Sequence, residues 1–288
     1  MEIAELLKKV RQIELKTRKK SNEVLLGSYH SAFKGRGLTV SEVRPYAFGD
    51  DVRLLDWKVT ARLLIPHIKV MQEERELTLL LVVDRSGSNL FGTRYAQKAD
   101  YITEIAALLA FSALNNNDKV GVLSIGTNGL HLIKPHKGRQ HVLKIIRELI
   151  GMNGDNGTAH LFQSLDFINK AFKKRSIVFI LSDFLIEENL EKSVKQLSTK
   201  HDLVAIRVQD NFEKHPIPLG FTKMKDIESG ESYWVNLNKK KIEAYKKDIE
   251  LLNNEIKNMF QKNGAGFIDL TVGDDYYKSL IKYFQSRR

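Results

Sequence analysis

The sequence contains no cysteine and few prolines, and both shortages narrow the classes of protein it can encode. Without cysteine in 288 residues, a disulfide framework, a cysteine-based zinc site, an iron–sulfur cluster and a thiol nucleophile are all excluded. Only 5 prolines accompany 42% apolar residues, which excludes collagenous classes and leaves ample material for a packed core. The lack of cysteine fits a cytoplasmic protein best.

Long hydrophobic runs are also missing. The longest apolar stretches, Leu77–Val83 and Ile105–Leu114, are well short of the roughly 20 residues that cross a bilayer, so no transmembrane helix is predicted. Residues 1–20 show neither a secretory signal nor a transit peptide, and we expect the mature chain to begin at Met1. Their helical pattern favours packing against the protein itself, while peripheral association with the inner face of the membrane remains the alternative.

The charge balance is basic, but the basic residues are not concentrated. Lysine and arginine number 46 against 35 acidic residues, which gives a net charge of +11. Because the cations are scattered among acids, without a recognition helix or an aromatic-studded basic strand, we do not predict nucleic-acid binding. A basic surface that attracts an acidic protein or an anionic lipid is the favoured interpretation.

A regular alternation of strands and helices begins at residue 77. Amphipathic helical patterns, the longest at Lys239–Asn263, lie between runs typical of strands covered on both faces. The alternation predicts an α/β domain over residues 77–288, with a doubly wound, mostly parallel sheet and right-handed crossovers. Its expected strands are Leu77–Val83, Val120–Ile125, Ile177–Ser182, Leu203–Val208 and Gly266–Thr271.

Residues 1–76 follow another pattern, in which an N-terminal helix precedes a small, β-rich and strongly charged module. Its β-prone pieces are Leu38–Val43 and Ile65–Val70. We interpret the charges at positions 50–62 as an ion-pair network that holds the module to the larger domain, with Trp57 as its apolar anchor. The alternative is a docking surface for a partner, formed by Arg36, Arg53, Asp56, Trp57 and Lys58.

Polar side chains cluster just after two predicted strands and before one predicted helix. Asp84, Ser86 and Ser88 follow the first strand, Asp183 follows another, and Thr158 precedes the helix at residues 159–172. In α/β sheets such positions meet at one edge, and their oxygens suit Mg²⁺ or Mn²⁺. Each loop alone is explained by a helix cap or a turn, but the agreement of five positions favours a metal site.

This pattern resembles the metal-ion-dependent adhesion site (MIDAS) of von Willebrand factor A domains. The resemblance implies that Ser86, Ser88 and Thr158 contact the metal, while Asp84 and Asp183 act directly or through water. It also implies that one coordination position is left for an acidic residue of a bound partner.

The upstream module narrows the resemblance to the domain-of-unknown-function-58 family. The similar segments are Gly35-Arg36-Gly37, residues 42–46, 49–53 and 56–58, and later residues 217–220 and 226–231. The resemblance implies a bacterial adaptor or chaperone-like partner of a MoxR-type AAA+ ATPase and of membrane A-domain proteins, linked to envelope stress or aerotolerance. Two features depart from the family: Asn89 stands where Met is frequent, which is expected to alter the rim of the metal site, and membrane helices are missing.

Enzyme signatures are absent, so we predict a non-enzymatic interaction module. A haloacid-dehalogenase-type phosphatase needs a second Asp where Ser86 stands. Glycine-rich phosphate loops and a nucleophile elbow are also missing. His136, His141 and His160 show no metal-ligand spacing and are interpreted as surface or capping residues. The alternative function is a magnesium-dependent phosphohydrolase that uses Asp84 and Asp183.

Overall fold

The chain divides into two compact units. The computed structural model describes residues 11–12, 29, 32, 38–73, 77–93, 97–126, 129–151, 160–185, 189–227 and 230–287. The small unit is Phe33–Leu77, and the large unit combines Met1–Ala32 with Thr78–Arg288. The predicted boundary after residue 76 lies one residue before the end of the small unit.

The N-terminal part of the chain groups with the large unit and not with the small module. Among its described residues, Tyr29 is fully buried, and its ring packs edge-on against Phe284 with 5.8 Å between the ring centroids. Apart from Arg11 and Gln12, which are helical, the predicted helix over residues 1–20 lies outside the described residues.

The small unit contains a two-stranded antiparallel sheet and one short α-helix. Strand β1 (Leu38–Pro45) pairs with β2 (His67–Glu73). Between them lie a 3-10 turn (Val52–Leu54) and helix α1 (Trp57–Leu63), which we did not predict. The helix begins at residue 57 because the Asp56 carboxylate caps two amide groups of its first turn.

The charged residues of the small unit pair mostly with one another. Arg44 binds Asp50 at 2.8 Å and Arg53 binds Asp51 at 2.9 Å. Trp57 keeps 71% of its surface exposed, and α1 has no buried residue. Within the small unit the indole is thus not part of a buried core, and its role as an anchor to the larger domain stays a prediction.

The large unit surrounds a six-stranded sheet with helices on both faces. In chain order its elements are β3 (Thr78–Asp84), a 3-10 turn (Gly87–Leu90), α2 (Lys98–Asn115), β4 (Lys119–Gly126), β5 (Gly129–His136), α3 (Arg139–Gly151), α4 (Leu161–Ala171), β6 (Ile177–Ser182), α5 (Glu191–Lys200), β7 (Asp202–Gln209), α6 (Asn211–Lys214), β8 (Gly220–Lys225), β9 (Ser232–Leu237), α7 (Lys239–Lys262), β10 (Gly266–Thr271) and α8 (Tyr276–Ser286).

The order of the strands confirms the predicted doubly wound, mostly parallel sheet. It runs β10-β7-β6-β3-β4-β5, in which β5 alone is antiparallel, while β8 and β9 form a separate hairpin. The five predicted strands are β3, β4, β6, β7 and β10. We did not predict β5, β8 and β9 because these strands are partly exposed and lack continuous apolar runs.

The core lies on both faces of the sheet. Leu80 and Val82 of β3 pack into one cluster with residues of α4, α5 and α7. On the opposite face, Phe179 of β6 packs against Phe284 of α8, with 6.2 Å between ring centroids. In the ranges that the structure describes, none of the helices combines the length and apolarity that a membrane crossing requires.

Candidate functional site

The end of β3 lies where the sheet switches its direction of growth. From β3 the chain adds β4 and β5 on one side, and then β6, β7 and β10 on the other. Val83 of β3 lies beside Leu181 of the parallel strand β6. The residues that follow, Asp84 and Ser182, therefore meet at the carboxyl edge, where α/β sheets leave a crevice for ligands.

Asp84 is buried and both of its carboxylate oxygens accept hydrogen bonds. Its Oδ1 accepts from the amide of Ser86 at 2.9 Å, and its Oδ2 accepts from the hydroxyl of Ser182 at 2.6 Å. Burial and the nearby charge of Asp183 raise the pKa of Asp84 above its ordinary value. A cation at this place would reduce the electrostatic repulsion between the carboxylates of Asp84 and Asp183.

The hydroxyls of the turn after β3 converge beside Asp84. Ser86 Oγ and Ser88 Oγ lie 2.9 Å apart. The side-chain amide of Asn89 donates to Ser86 Oγ and to the Asp84 carbonyl, at 3.2 Å each. Asn89 is only 1% exposed, so it supports the turn from inside. Its buried position differs from the expected position at the rim of the site.

Asp183 is held by a buried lysine. Its Oδ2 accepts from Lys98 Nζ at 2.7 Å, and its Oδ1 accepts from the amide of Leu185 at 3.1 Å. The same ammonium donates to Glu213 Oε1 at 2.6 Å. Although burial alone would lower the pKa of Lys98, the two carboxylates raise it, so the side chain is a full cation.

The backbone beyond Asp183 is strained. Phe184 has a φ of 55°, in the left-handed region that residues other than glycine rarely adopt. Its amide donates to Ser182 Oγ at 2.9 Å, and its fully buried ring packs edge-on against Phe260 at 5.3 Å. The hydroxyl of Ser182 thus fixes both Asp84 and the turn that carries Asp183.

Sequence reasoning missed Lys98, Ser182 and Glu213 as members of the site. Lys98 lies in the first turn of a predicted helix, and the residues around it in the sequence do not indicate its partners Asp183 and Glu213. Glu213 does carry a signal, because Asp210 and Glu213 have the spacing of a capping box, which the structure contains at α6. That spacing would have predicted the start of α6, although not the ion pair with Lys98.

Four of the five predicted metal ligands are described, and they lie together at one edge of the sheet: Asp84, Ser86, Ser88 and Asp183. Thr158 lies outside the described residues. Of the suggested docking residues, Arg36 also lies outside them, while Arg53, Asp56, Trp57 and Lys58 belong to the small unit.

The donor set fits a hard divalent cation. The described residues contain no group of three or more His, Cys, Asp or Glu side chains suited to a metal. Instead the site offers hydroxyl oxygens beside carboxylates, which Mg²⁺ accepts together with water. Asp84, Asp183 and Glu213 carry three negative charges against the one positive charge of Lys98, and the remaining two match a divalent ion.

The described hydroxyls of the turn contact one another, an amide and a carboxylate. Ser86 Oγ contacts Ser88 Oγ and accepts from Asn89, and the side chain of Ser86 also hydrogen-bonds Asp84. The rings of His136 and His141 lie 5.5 Å apart, and His141 Nε2 contacts the carbonyl of Val120. Within the described ranges, none of the hydrogen bonds given for Ser86 Oγ and Ser88 Oγ involves an imidazole.

Comparisons with known proteins agree with this organisation. The family model described as "Protein of unknown function DUF58" matches residues 42–252. An uncharacterized protein of Mycobacterium tuberculosis is 28% identical over 286 residues, which cover 97% of this chain and 89% of that protein.

Solved structures at low sequence identity were also compared, and the first of the following two shares the fold. An aerotolerance-related membrane protein from Bacteroides fragilis superimposes with a TM-score of 0.50 and 12% identity, over 73% of this chain and 99% of that one. The VWA domain of SpRpn10 gives a TM-score of 0.41 and 11% identity, over 72% and 94% of the two chains. The predicted α/β class with a doubly wound, mostly parallel sheet is confirmed by the order and direction of the strands.

Proposed function

This chain belongs to the DUF58 family, and on that premise we propose that it is a non-enzymatic, metal-dependent protein-interaction module. The proposed partners are a MoxR-type AAA+ ATPase and membrane proteins with A domains, toward which it acts as an adaptor or a chaperone-like factor in envelope stress or aerotolerance. The partner class rests on the family resemblance. The chemistry of capture rests on the site at the end of β3.

One observation carries the proposal: two buried, neighbouring carboxylates lie beside a pair of hydroxyls at the switch point of the sheet. Asp84 is 3% exposed and Asp183 is 1% exposed, while Ser88 is only partly buried. Carboxylates confined in this way repel each other unless a cation lies near them. The partly exposed hydroxyl marks the side from which a ligand reaches the site.

Asp84, Ser86 and Ser88 would hold Mg²⁺ or Mn²⁺, with Thr158 and Asp183 as the further expected ligands. A bound ion of this type supplies an electrophilic position that a carboxylate of a partner can occupy in place of water. Ser182 orients Asp84, Asn89 supports the hydroxyl of Ser86, and Lys98 restrains Asp183. Because Lys98 already compensates part of the negative charge, the metal keeps its attraction for an acidic residue.

Titration calorimetry with MgCl₂ and MnCl₂ tests the metal site. The wild-type protein should bind one ion, and Asp84→Ala, Asp84→Asn and Thr158→Ala should each weaken binding by at least about tenfold. Asp166→Ala is the matched control, because Asp166 is a carboxylate on the surface of the same unit that pairs with Lys170. Equal binding by the wild type and by both Asp84 variants would show that the metal site is wrongly assigned.

A further inference from the structure

An apolar groove lies next to the candidate metal site in the large unit. Its walls are formed by Phe91, just after the 3-10 turn Gly87–Leu90, by helix α6, by the β8–β9 hairpin and by the first turns of α7. Its volume is about 410 Å³. This volume falls within the range of roughly 300–1,000 Å³ typical of ligand sites. The lining is mainly apolar and aromatic, including Phe91, Phe212, Tyr233, Val235, Ile242 and Tyr245.

The groove is linked to the metal site through the buried side chain of Lys98. The carbonyl of Phe91 accepts from the amide of Lys98 at 3.0 Å, and the ring of Phe91 lies 6.4 Å from that of Phe212. Glu213, in the wall of the groove, binds the ammonium that holds Asp183. Two ion-pair contacts through Lys98 thus separate the wall of the groove from Asp183.

The charges of the groove favour an acidic occupant. Both carboxylate oxygens of Glu213 are engaged, Oε1 with Lys98 at 2.6 Å and Oε2 with the amide of Asp210 at 2.7 Å. Its negative charge is thus compensated within the protein. Lys241, at the edge of the groove, is exposed, and no carboxylate in the described part of the chain pairs with it. Of the two charged residues described in the lining, Lys241 therefore offers its positive charge to an occupant.

The β8–β9 hairpin presents two different faces. Val235 is partly buried and lines the groove, whereas its neighbour Trp234 is 69% exposed and absent from the lining. The alternation follows from strand geometry, in which successive side chains point to opposite sides. Trp234 therefore provides a control position on the same strand.

We propose that the groove binds a large apolar side chain of a partner segment whose acidic residues reach the metal and Lys241. The recognised ligand is thus an acidic segment of a protein that carries a Leu, Met or aromatic residue close to its carboxylate. This inference rests on the proposed function, and it adds the apolar part of the recognition. A metal site alone accepts any accessible carboxylate, whereas the groove selects among acidic segments.

A library of random displayed dodecapeptides, selected on the full-length protein in the presence of MgCl₂, provides the probe. Enriched peptides should contain Asp or Glu within a few positions of a large apolar residue. The strongest peptide is then synthesised with a fluorophore, and its dissociation constant is measured by fluorescence anisotropy. A library that enriches no peptide, or acidic peptides without an apolar residue, overturns the groove proposal.

Protein variants locate the binding. Val235→Glu should weaken peptide binding by at least about tenfold, and Lys241→Glu by several-fold, while Trp234→Glu should leave it unchanged. Thermal melts check that each variant is folded. If Val235→Glu does not fold, the exposed variants Lys241→Glu and Tyr245→Ala decide the result, and unchanged binding by both overturns the proposal.

The two proposals fail in different ways. Loss of binding with EDTA and Ser88→Ala, but not with the groove variants, supports metal-dependent capture and overturns the groove. Loss with the groove variants, but not with EDTA, supports the groove and overturns the metal bridge.

Discussion

At the scale of single residues, Lys98 explains how two acidic side chains, Asp183 and Glu213, are tolerated in the interior of the large unit. Its ammonium is fully buried and lies 2.7 Å from Asp183 and 2.6 Å from Glu213. An ion pair of this kind adds little net stability compared with an apolar replacement of all its members. Removing the lysine alone, however, would leave two unpaired carboxylates, so we assign Lys98 a positioning role.

A second residue, His201, makes the stability of the large unit depend on pH. It is 1% exposed, and its Nδ1 accepts from the amide of Ser176 at 3.2 Å. Burial, Lys200 and Arg175 lower its pKa from 6.5 to about 4. Between pH 6.5 and 4 the unfolded chain binds more protons at His201 than the folded one. The contribution of His201 to the free energy of unfolding is therefore fully present above pH 6.5 and decreases as the pH drops toward 4.

The expected loss is at most about 3 kcal/mol over that window. Urea denaturation at several pH values measures it. His201→Asn, which keeps an acceptor near the Nδ1 position, should flatten the dependence, while His131→Asn on the exposed edge strand should not. An unchanged slope in His201→Asn would mean that another group titrates.

At the scale of secondary-structure elements, the short helix α6 is held in place by the two residues of its capping box, Asp210 and Glu213. The Asp210 carboxylate accepts from the amide of Phe212 at 2.8 Å, while Glu213 accepts from the amide of Asp210 at 2.7 Å. Asp210 also accepts from the hydroxyl of Thr93 at 2.7 Å, which ties the helix to the chain after the serine turn. Four residues of helix can therefore hold Glu213 against Lys98.

The packing of α8 on β10 requires a glycine. A Cβ added at Gly266 would lie 1.7 Å from the hydroxyl oxygen of Tyr283, so Gly266→Ala should cost about 1–3 kcal/mol through overpacking. Gly151→Ala, at the end of α3, meets no atom within 4 Å and should be neutral or slightly stabilising. In a Tyr283→Leu background the cost of Gly266→Ala should shrink. Equal melting temperatures for the wild type and Gly266→Ala would contradict this packing.

At the scale of the whole molecule, the net charge of +11 affects how an acidic partner approaches more than how firmly it stays bound. Long-range attraction between exposed charges is screened at moderate salt, since the Debye length is about 8–10 Å there. A metal bridge is a short-range contact and is much less sensitive to salt. Raising the salt concentration thus tests the long-range attraction, whereas a chelator tests the metal bridge.

Binding to a purified MoxR-type ATPase should therefore weaken by at least about tenfold with EDTA or with Ser88→Ala, and by only about threefold when salt is raised within the moderate range. Surface plasmon resonance measures both effects. Ser198→Ala is the control, because this serine of α5 donates to the carbonyl of Val194 in its own helix. Binding that resists chelator and Ser88→Ala would place the interface elsewhere.

The sequence by itself determined the parallel sheet and four residues that meet at its edge. Strands such as β6 and β7 are buried at every position, so their apolar runs are continuous and readable. Asp84 is the last residue of β3, and Asp183 directly follows β6. The partly exposed strands β5, β8 and β9 carry a weaker pattern, and we missed them.

Only the tertiary structure decided which charges meet and which aromatic residues are buried. Lys98 joins Asp183 and Glu213 across 85 and 115 residues of chain, a separation at which no local pattern records a contact. Trp57, large and apolar, is exposed, while Tyr29 is fully buried. Burial and ion pairing depend on what the rest of the fold brings to a residue, whereas strand and cap signals depend on its neighbours along the chain.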